Sequence, residues 1–248
     1  MTMDHKTKDY LLLLDTATEV CSVALGRRDG TIVGEKEEHL PNKHSELLAS
    51  FSGELLGLLP GGAAENLGGI VISAGPGSYT GLRIGASYAK GLSWTLGIPL
   101  AAIPTTEALA LRIVGSPLLA KHPDALLLPM IDARRMEVYA AFYTSVGRIV
   151  QGSDIRALVL TDDADLDYLK ASAAGREILY FGSGAAKAVP VMEELYGNKA
   201  LFVPDITAGA GAMLGRGIER IEAGETVQPD YWTPLYLKEF QATTPKKH

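Results

Sequence analysis

The chain has almost no cysteine and no long apolar run, and both absences limit what it can be. Cys21 is its only cysteine, which excludes an internal disulfide framework and is typical of a reducing compartment. No stretch reaches the roughly 18–20 apolar residues that a membrane-spanning helix needs. Residues 1–9 are polar and lack the apolar core of a signal peptide. These features predict a cytoplasmic protein that has no membrane partner.

Positive charge is also scarce. The chain has 23 basic and 29 acidic residues and a net charge of −6. Such a chain does not attract a phosphate backbone through its overall charge. We therefore expect contact with nucleic acid only within a complex. The length of 248 residues fits one large domain or two domains of about 100–150 residues each.

The order of predicted elements occurs twice along the chain. Each half has three strands, then a helix, a strand, a helix and a further short strand. The predicted strands cover 10–15, 20–25, 31–36, 70–72 and 98–103, and then 125–132, 137–144, 155–160, 178–181 and 200–203. The predicted helices cover 45–59, 82–96, 104–114, 163–173, 185–196 and 208–223.

This repeated order predicts an α/β fold of two domains that face each other across a cleft. We place the domains at 1–106 and 107–248, and the last helix, 207–223, is in a position to pack back on the first domain. Asp15 and Asp132 each end the first strand of a half. They either occupy equivalent places near the cleft or simply end two strands.

A glycine-rich turn, Gly75-Pro76-Gly77-Ser78-Tyr79-Thr80-Gly81, joins a buried strand to the helix 82–96. Such turns often bind phosphate through the unpaired amides of the first helical turn. This one lacks the Walker A lysine and the Gly-x-Ser-x-Gly spacing of a nucleophile elbow. We favour a structural turn in which Ser78 or Thr80 caps the helix. If nucleotide binds, the candidate residues are Asp15, Gly75, Gly77, Ser78 and Asp132.

The helix after the turn carries small residues on one face and large apolar residues on the other. The small residues recur every four positions, at Gly81, Gly85, Ala89, Ser93 and Gly97. Glycine inside a helix costs about 1 kcal/mol relative to alanine, so close approach of another backbone is its natural reason. A helix that is apolar on both sides is buried on both sides. The second side meets either the helix 45–59 or a partner chain.

Other candidate groups favour structural roles. His39, His44 and Glu46 lack the spacing of a zinc-binding helix, and we predict no metal there. His44 lies at a helix start, with Ser45 or Asn42 as the expected cap. Cys21 is expected in the core. Arg134 and Arg135 lie in a polar turn and either hold an anion or point into solvent.

Several segments resemble the TsaB (YeaZ) family over nearly the whole chain. They are Leu13-Leu14-Asp15-Thr16-Ala17-Thr18, Cys21-Ser22-Val23-Ala24, His44-Ser45-Glu46-Leu47-Leu48, the run from Gly75 to Gly85, Pro129-Met130-Ile131-Asp132-Ala133-Arg134-Arg135, and Pro234-Leu235-Tyr236-Leu237. The resemblance implies two tandem actin/hexokinase/Hsp70-like (ASKHA, ribonuclease H-like) domains with mixed sheets flanked by helices. It also implies a role in making N6-threonylcarbamoyladenosine at position 37 of tRNA.

The resemblance further implies a subunit without catalytic residues. The catalytic paralogue TsaD has a metal-binding His-x-x-x-His after the Ile-Pro strand end, whereas residues 105–111 here contain no histidine. The chain would bind TsaD as a heterodimer, work with the ATPase TsaE, meet tRNA only through the complex, and also be able to form a homodimer. No cofactor is expected, and ATP or ADP would bind only weakly or at a subunit interface. The implied partner interface comprises Leu47, Leu48, Phe51, Leu55, Gly81, Gly85, Tyr88, Ala89 and Leu92.

Two other functions are alternatives: a small-molecule kinase, which has the same fold, and a metallopeptidase, a label once given to related proteins. An active small-molecule kinase would use Asp15 and Asp132, but phosphoryl transfer needs positioned magnesium ligands and cations that the glycine turn does not bring. A metallopeptidase would need the missing histidine pair. Both remain alternatives to the non-catalytic subunit.

Overall fold

The computed structural model describes residues 8–39, 43–62 and 64–238. Its strands are β1 (Tyr10–Asp15), β2 (Cys21–Arg27), β3 (Ile32–Glu38), β4 (Leu67–Ser73), β5 (Leu100–Ile103), β6 (Leu126–Asp132), β7 (Glu137–Ala140), β8 (Arg156–Val159), β9 (Ile178–Phe181) and β10 (Ala200–Val203). Its α-helices are α1 (His44–Leu56), α2 (Tyr79–Leu96), α3 (Thr105–Leu111), α4 (Pro117–Lys121), α5 (Asp163–Ala173), α6 (Ala185–Tyr196) and α7 (Leu214–Glu222). Within these residues, no helix is long and apolar enough to span a membrane.

The two halves form five-stranded mixed sheets with the same topology. The first sheet has the order β3-β2-β1-β4-β5, and the second, read from its other edge, has the order β8-β7-β6-β9-β10. In each sheet the first strand pairs antiparallel with the second and parallel with the fourth. The predicted α/β repeat is confirmed, and Asp15 and Asp132 end the equivalent strands β1 and β6.

Helices cover both faces of the first sheet, which explains the continuous apolar run in β1. Leu12 and Leu14 pack in the cluster that α1 and α2 cover. Leu11 and Leu13 pack on the opposite face, against Leu214 and its neighbours. Because β1 is a central strand with both faces buried, its interior positions are apolar, and its first carboxyl group is Asp15 at the end of the strand.

The long helix α2 begins three residues before the predicted start, and side-chain capping explains why. The Ser78 hydroxyl oxygen accepts a hydrogen bond from the Gly81 N–H at 3.3 Å. This interaction extends the helix back through the last part of the glycine turn. The helix ends at Gly97, which has a left-handed φ of 61° that favours glycine.

Helix α7 contacts the first sheet, although it follows the second sheet in sequence. The Leu214 methyl groups fill the space beside Gly26, and Ile221 lies beside Gly69. The Nε atom of Arg216 forms an ion pair with the Glu107 carboxylate at 2.8 Å. The domain limits 1–106 and 107–248 stay a prediction.

Several elements besides α2 differ from the predicted ones; α1, for example, ends at Leu56, and α3 covers Thr105–Leu111. Strand β7 ends at Ala140 because Tyr143 leaves the β7–β8 pairing and bridges Leu127 instead. Helix α4 was not predicted, yet Ser116 caps it by accepting from the Leu119 N–H, and Pro117 occupies its first turn. The predicted helix 208–223 divides into a 3-10 turn, Ala210–Met213, and α7.

Candidate functional site

The glycine turn is anchored by hydrogen bonds to another segment of the same chain. Gly75 has a φ of +94°, and its N–H donates to the Thr105 hydroxyl oxygen at 2.9 Å. The Thr105 N–H donates back to the Gly75 carbonyl oxygen at 2.9 Å. The turn is thereby joined to the start of α3.

The other glycines of the turn pack on the loop that follows β1. The Ser78 N–H donates to the Ala17 carbonyl oxygen at 2.7 Å. A Cβ atom at Gly77 would lie closer than 3.0 Å to that oxygen, and one at Gly81 would lie equally close to the Thr16 carbonyl oxygen. Real Cβ atoms do not approach so closely, so packing within the chain accounts for both glycines.

A C-terminal segment, residues 228–238, crosses the turn from outside, and we call it the strap. Its Leu235 N–H donates to the Ala74 carbonyl oxygen at 2.7 Å. A Cβ atom at Gly75 would collide with the Leu235 carbonyl oxygen. Farther along the strap, the Tyr236 ring lies 5.0 Å from the Tyr79 ring. The strap therefore covers the start of the turn, at Gly75 and Pro76, whereas Ser78 and Thr80 stay exposed.

The small-residue face of α2 also points into the same chain. Gly81, Gly85 and Ala89 are buried, and a Cβ atom at Gly85 would collide with the Thr16 hydroxyl oxygen. In the folded chain these three residues therefore pack on its own segments, and a place for them in a partner interface stays a prediction. Their size is required by the close approach of α2 to the loop after β1.

The remaining predicted interface residues divide between core and surface. Leu48 and Leu55 of α1 are buried in the core. The half-buried residues are Leu47, Phe51, Tyr88 and Leu92. The outward face of α2 carries Ser87, Gly91 and Trp94, and Trp94 is 68% exposed.

Asp15, the first nucleotide candidate, is completely buried. One of its oxygens, Oδ1, accepts from the Ser73 hydroxyl at 2.6 Å and from the Ala17 N–H at 3.1 Å. Burial raises the pKa of the Asp15 carboxyl, and the Ser73 hydrogen bond opposes this shift most strongly. Its Oδ2 atom has no hydrogen-bond partner among the described residues. These surroundings suit a structural carboxyl group better than a solvated metal ligand.

Asp132, the second candidate, is exposed and holds a turn in place. Its side chain pairs with Lys187 of α6, whose ammonium group also donates to the carbonyl oxygens of Arg135 and Glu137. Arg134 and Arg135 follow with positive φ values of 68° and 50°. Both arginines are exposed. The two equivalent strands therefore end differently. β6 ends in an exposed, charged turn, whereas β1 ends in a buried carboxyl group.

A small cavity of about 110 Å³ lies where residues of the two halves meet. It is smaller than the roughly 300–1,000 Å³ of typical ligand pockets. Its polar lining residues are Thr18, Glu19, His39, Thr105, Ser183 and Thr207. Sequence reasoning missed Glu19, Ser183 and Thr207. The repeat offered a signal for Ser183, because its turn follows β9 as the glycine turn follows β4.

His44 and Cys21 are both buried, which favours structural roles for them. His44 is buried at the first position of α1, and Asn42 lies outside the described residues. Burial raises the pKa of the Cys21 thiol to about 11, with a further contribution from Asp15. Across the described ranges, no group of three His, Cys, Asp or Glu residues is arranged to hold a metal ion.

Comparison with known proteins matches this chain to a TsaD family model and to relatives named TsaB. The family model described as TsaD: tRNA N6-adenosine threonylcarbamoyltransferase matches residues 38–188, more than half of the chain. The tRNA threonylcarbamoyladenosine biosynthesis protein TsaB of Bacillus subtilis is 33% identical over 77% of this chain and 79% of its own length. The chain belongs to the TsaB family. The TsaB protein of Escherichia coli is 28% identical over 92% of this chain and 94% of its own length.

Solved structures agree with the TsaB assignment. YeaZ from Pseudomonas aeruginosa, at 26% identity, matches 92% of this chain and 100% of its own chain with a TM-score of 0.72. A putative N-acetylmannosamine kinase from Listeria monocytogenes matches 87% of this chain and 99% of its own with a TM-score of 0.50 at 13% identity. The second likeness concerns the fold alone, and with the YeaZ match it fits the ASKHA-type architecture expected for TsaB proteins.

Proposed function

We propose that this chain is the non-catalytic subunit that supports N6-threonylcarbamoyladenosine synthesis in tRNA. It binds the catalytic paralogue TsaD, works with the ATPase TsaE in the cytoplasm, and meets tRNA only within that complex. Membership of the TsaB family supports the pathway. The assignment of a supporting role rests on the site geometry.

The non-catalytic role is supported by one main observation: other segments of the same chain pack against the glycine turn, where a phosphate would otherwise bind. Ala17 lies against one side of the turn, and Leu235 of the strap lies against the other. A phosphate cradle needs outward amides with free space in front of them. Here the N–H groups of Gly75 and Ser78 already bind Thr105 and Ala17. The buried carboxyl of Asp15 adds no accessible metal ligand.

The partner surface in this proposal is the outer side of α1 and α2. It combines the half-buried side chains Leu47, Phe51, Tyr88 and Leu92 with the exposed Trp94. Trp and Tyr side chains are enriched among the residues that carry most of the binding energy near the centre of an interface. The same surface would serve a homodimer when TsaD is absent.

The test is co-purification with TsaD and TsaE, followed by a tRNA modification assay with and without this chain. We expect a stable complex with TsaD and modification only when the chain is present. The isolated chain should bind neither Mg-ATP nor tRNA tightly. Phosphorylation of a small substrate by the pure chain, or undiminished modification without it, would contradict the proposal.

A further inference from the structure

A second cavity lies away from the cleft, between the strap and the end of the first sheet. It is a broad groove of about 600 Å³ that is largely open to solvent, and its volume falls within the roughly 300–1,000 Å³ of small-molecule sites. The lining residues that matter here are Ala102, Pro104, Arg220, Trp232, Thr233 and Tyr236. Most of this lining is apolar or aromatic, and Arg220 is its one cation among the described residues.

Arg220 is held in place and still has donors to offer. Its Nη1 donates to the Ala102 carbonyl oxygen at 2.8 Å, and its Nη2 donates to the Glu107 carboxylate at 3.1 Å. A guanidinium group has five N–H donors. Within the described residues three of them remain, and the side chain is 26% exposed. A fixed guanidinium group with spare donors favours an anionic ligand.

The buried charges near Arg220 also favour an anion. The Glu107 carboxylate, 10% exposed, is shared between Arg220 and Arg216, and the Arg216 side chain is only 4% exposed. Two buried or partly buried guanidinium groups therefore face one buried carboxylate. The exposed Glu219 also pairs with Arg216, at 3.1 Å, but it is screened by solvent.

We propose that this cavity binds a small amphipathic carboxylate, with its anionic group on Arg220 and its hydrocarbon part against Trp232 and Pro104. The apolar walls bury the hydrocarbon part. The Arg220 donors give the orientation and the charge selectivity. This site adjoins the glycine turn, because Ala74, Leu235 and Tyr236 also line it, but its anionic ligand is held by Arg220 and not by the amides of the turn.

The experiment uses the fluorescence of Trp232, which lines the cavity, to report ligand binding. The chain has two tryptophans, so W94F leaves Trp232 as the only indole. The W94F chain is titrated with phenylacetate and with phenylacetamide, a neutral probe of similar shape, and Trp232 fluorescence is followed. We expect saturable binding of phenylacetate, about tenfold tighter than that of the amide. R220Q in the same background should remove that difference, whereas R176Q, at an exposed arginine outside the cavity, should preserve it.

Two results would overturn the proposal. The first is the absence of a saturable change with phenylacetate, and the second is equal affinity for the acid and the amide. The comparison of the two probes on the W94F chain needs no change at Arg220. The test therefore stands even where R220Q lowers stability, which a thermal melt reports separately.

Discussion

Gly85 of α2 packs so closely on Thr16 that a Cβ atom at Gly85 would lie less than 3.0 Å from the Thr16 hydroxyl oxygen. That hydroxyl donates to the Gly81 carbonyl oxygen at 2.8 Å across 65 positions of sequence. Thr16 is itself buried. The contact holds α2 on the loop after β1 and gives the small-residue face its structural reason.

We therefore expect Gly85→Ala to destabilise the folded chain, despite the higher helix propensity of alanine. The added methyl group displaces the Thr16 side chain from its hydrogen bond, at a cost of about 1–3 kcal/mol. Gly91→Ala is the matched control, because a Cβ atom there would meet nothing within 4 Å apart from its chain neighbours and its own helix backbone. That change should stabilise the chain by up to about 1 kcal/mol. Urea unfolding of both variants measures the difference, and equal midpoints would refute the packing argument.

The proposed partner surface predicts a selective loss of binding. Ser87 is exposed on the outward face of α2, so Ser87→Arg adds bulk and charge without removing a core contact. We expect affinity for TsaD to fall at least about tenfold. Val146→Arg, at a residue 63% exposed in the second half, should bind like the unmodified chain. Titration of the partner by calorimetry decides between them, and unchanged affinity of the Ser87 variant would move the interface elsewhere.

The raised pKa of the buried Asp15 carboxyl predicts an unusual pH dependence of stability. Because burial raises the pKa of its carboxyl in the folded chain, the folded state holds this proton more tightly than the unfolded state. This group's contribution to stability therefore falls as pH rises above the ordinary Asp value. Asp15→Asn keeps an acceptor for Ser73 and removes the titration. Its stability relative to the unmodified chain should increase with pH, by at most about 1.4 kcal/mol per pH unit.

Urea unfolding at pH 4, near the ordinary Asp pKa of about 3.9, and at pH 8 tests this expectation. Asp29→Asn is the control, because the Thr31 backbone hydrogen bond lowers the pKa of the exposed Asp29 carboxyl, in the opposite direction. A pH-independent difference between the Asp15 variant and the unmodified chain would show that Asp15 ionises normally in the folded state.

The buried ion pairs of Glu107 predict that truncating this one side chain lowers the free energy of unfolding strongly. Glu107→Ala leaves Arg216 and Arg220 without their buried carboxylate, and breaking a buried ion pair in this way costs about 3–5 kcal/mol. Glu46→Ala removes an exposed pair with Lys43 and should cost at most about 1 kcal/mol. Thermal and chemical unfolding give both values. Similar losses in the two variants would mean that the Glu107 cluster contributes no more than a surface pair.

Local signals predicted most elements well. Strands β1, β9 and β10 and helices α5 and α6 have the predicted bounds. In α5 the structure adds a cap, since the Asp162 side chain accepts from the N–H groups of Ala164 and Asp165. The structural alternative for the glycine turn also stands, since Ser78 caps α2. The length of β7 escaped prediction, because a strand ends where its neighbours stop pairing with it.

The sequence by itself determined the repeated α/β order, the buried first strands with their terminal aspartates, and the family, because apolar periodicity, caps and motif residues are local properties of the chain. Only the tertiary structure decided which side of α2 is internal and that the strap covers Gly75, at the start of the glycine turn. It also placed Arg220 beside an open cavity. These relations join residues far apart in sequence, such as Leu235 and Ala74, and depend on how the folded elements pack.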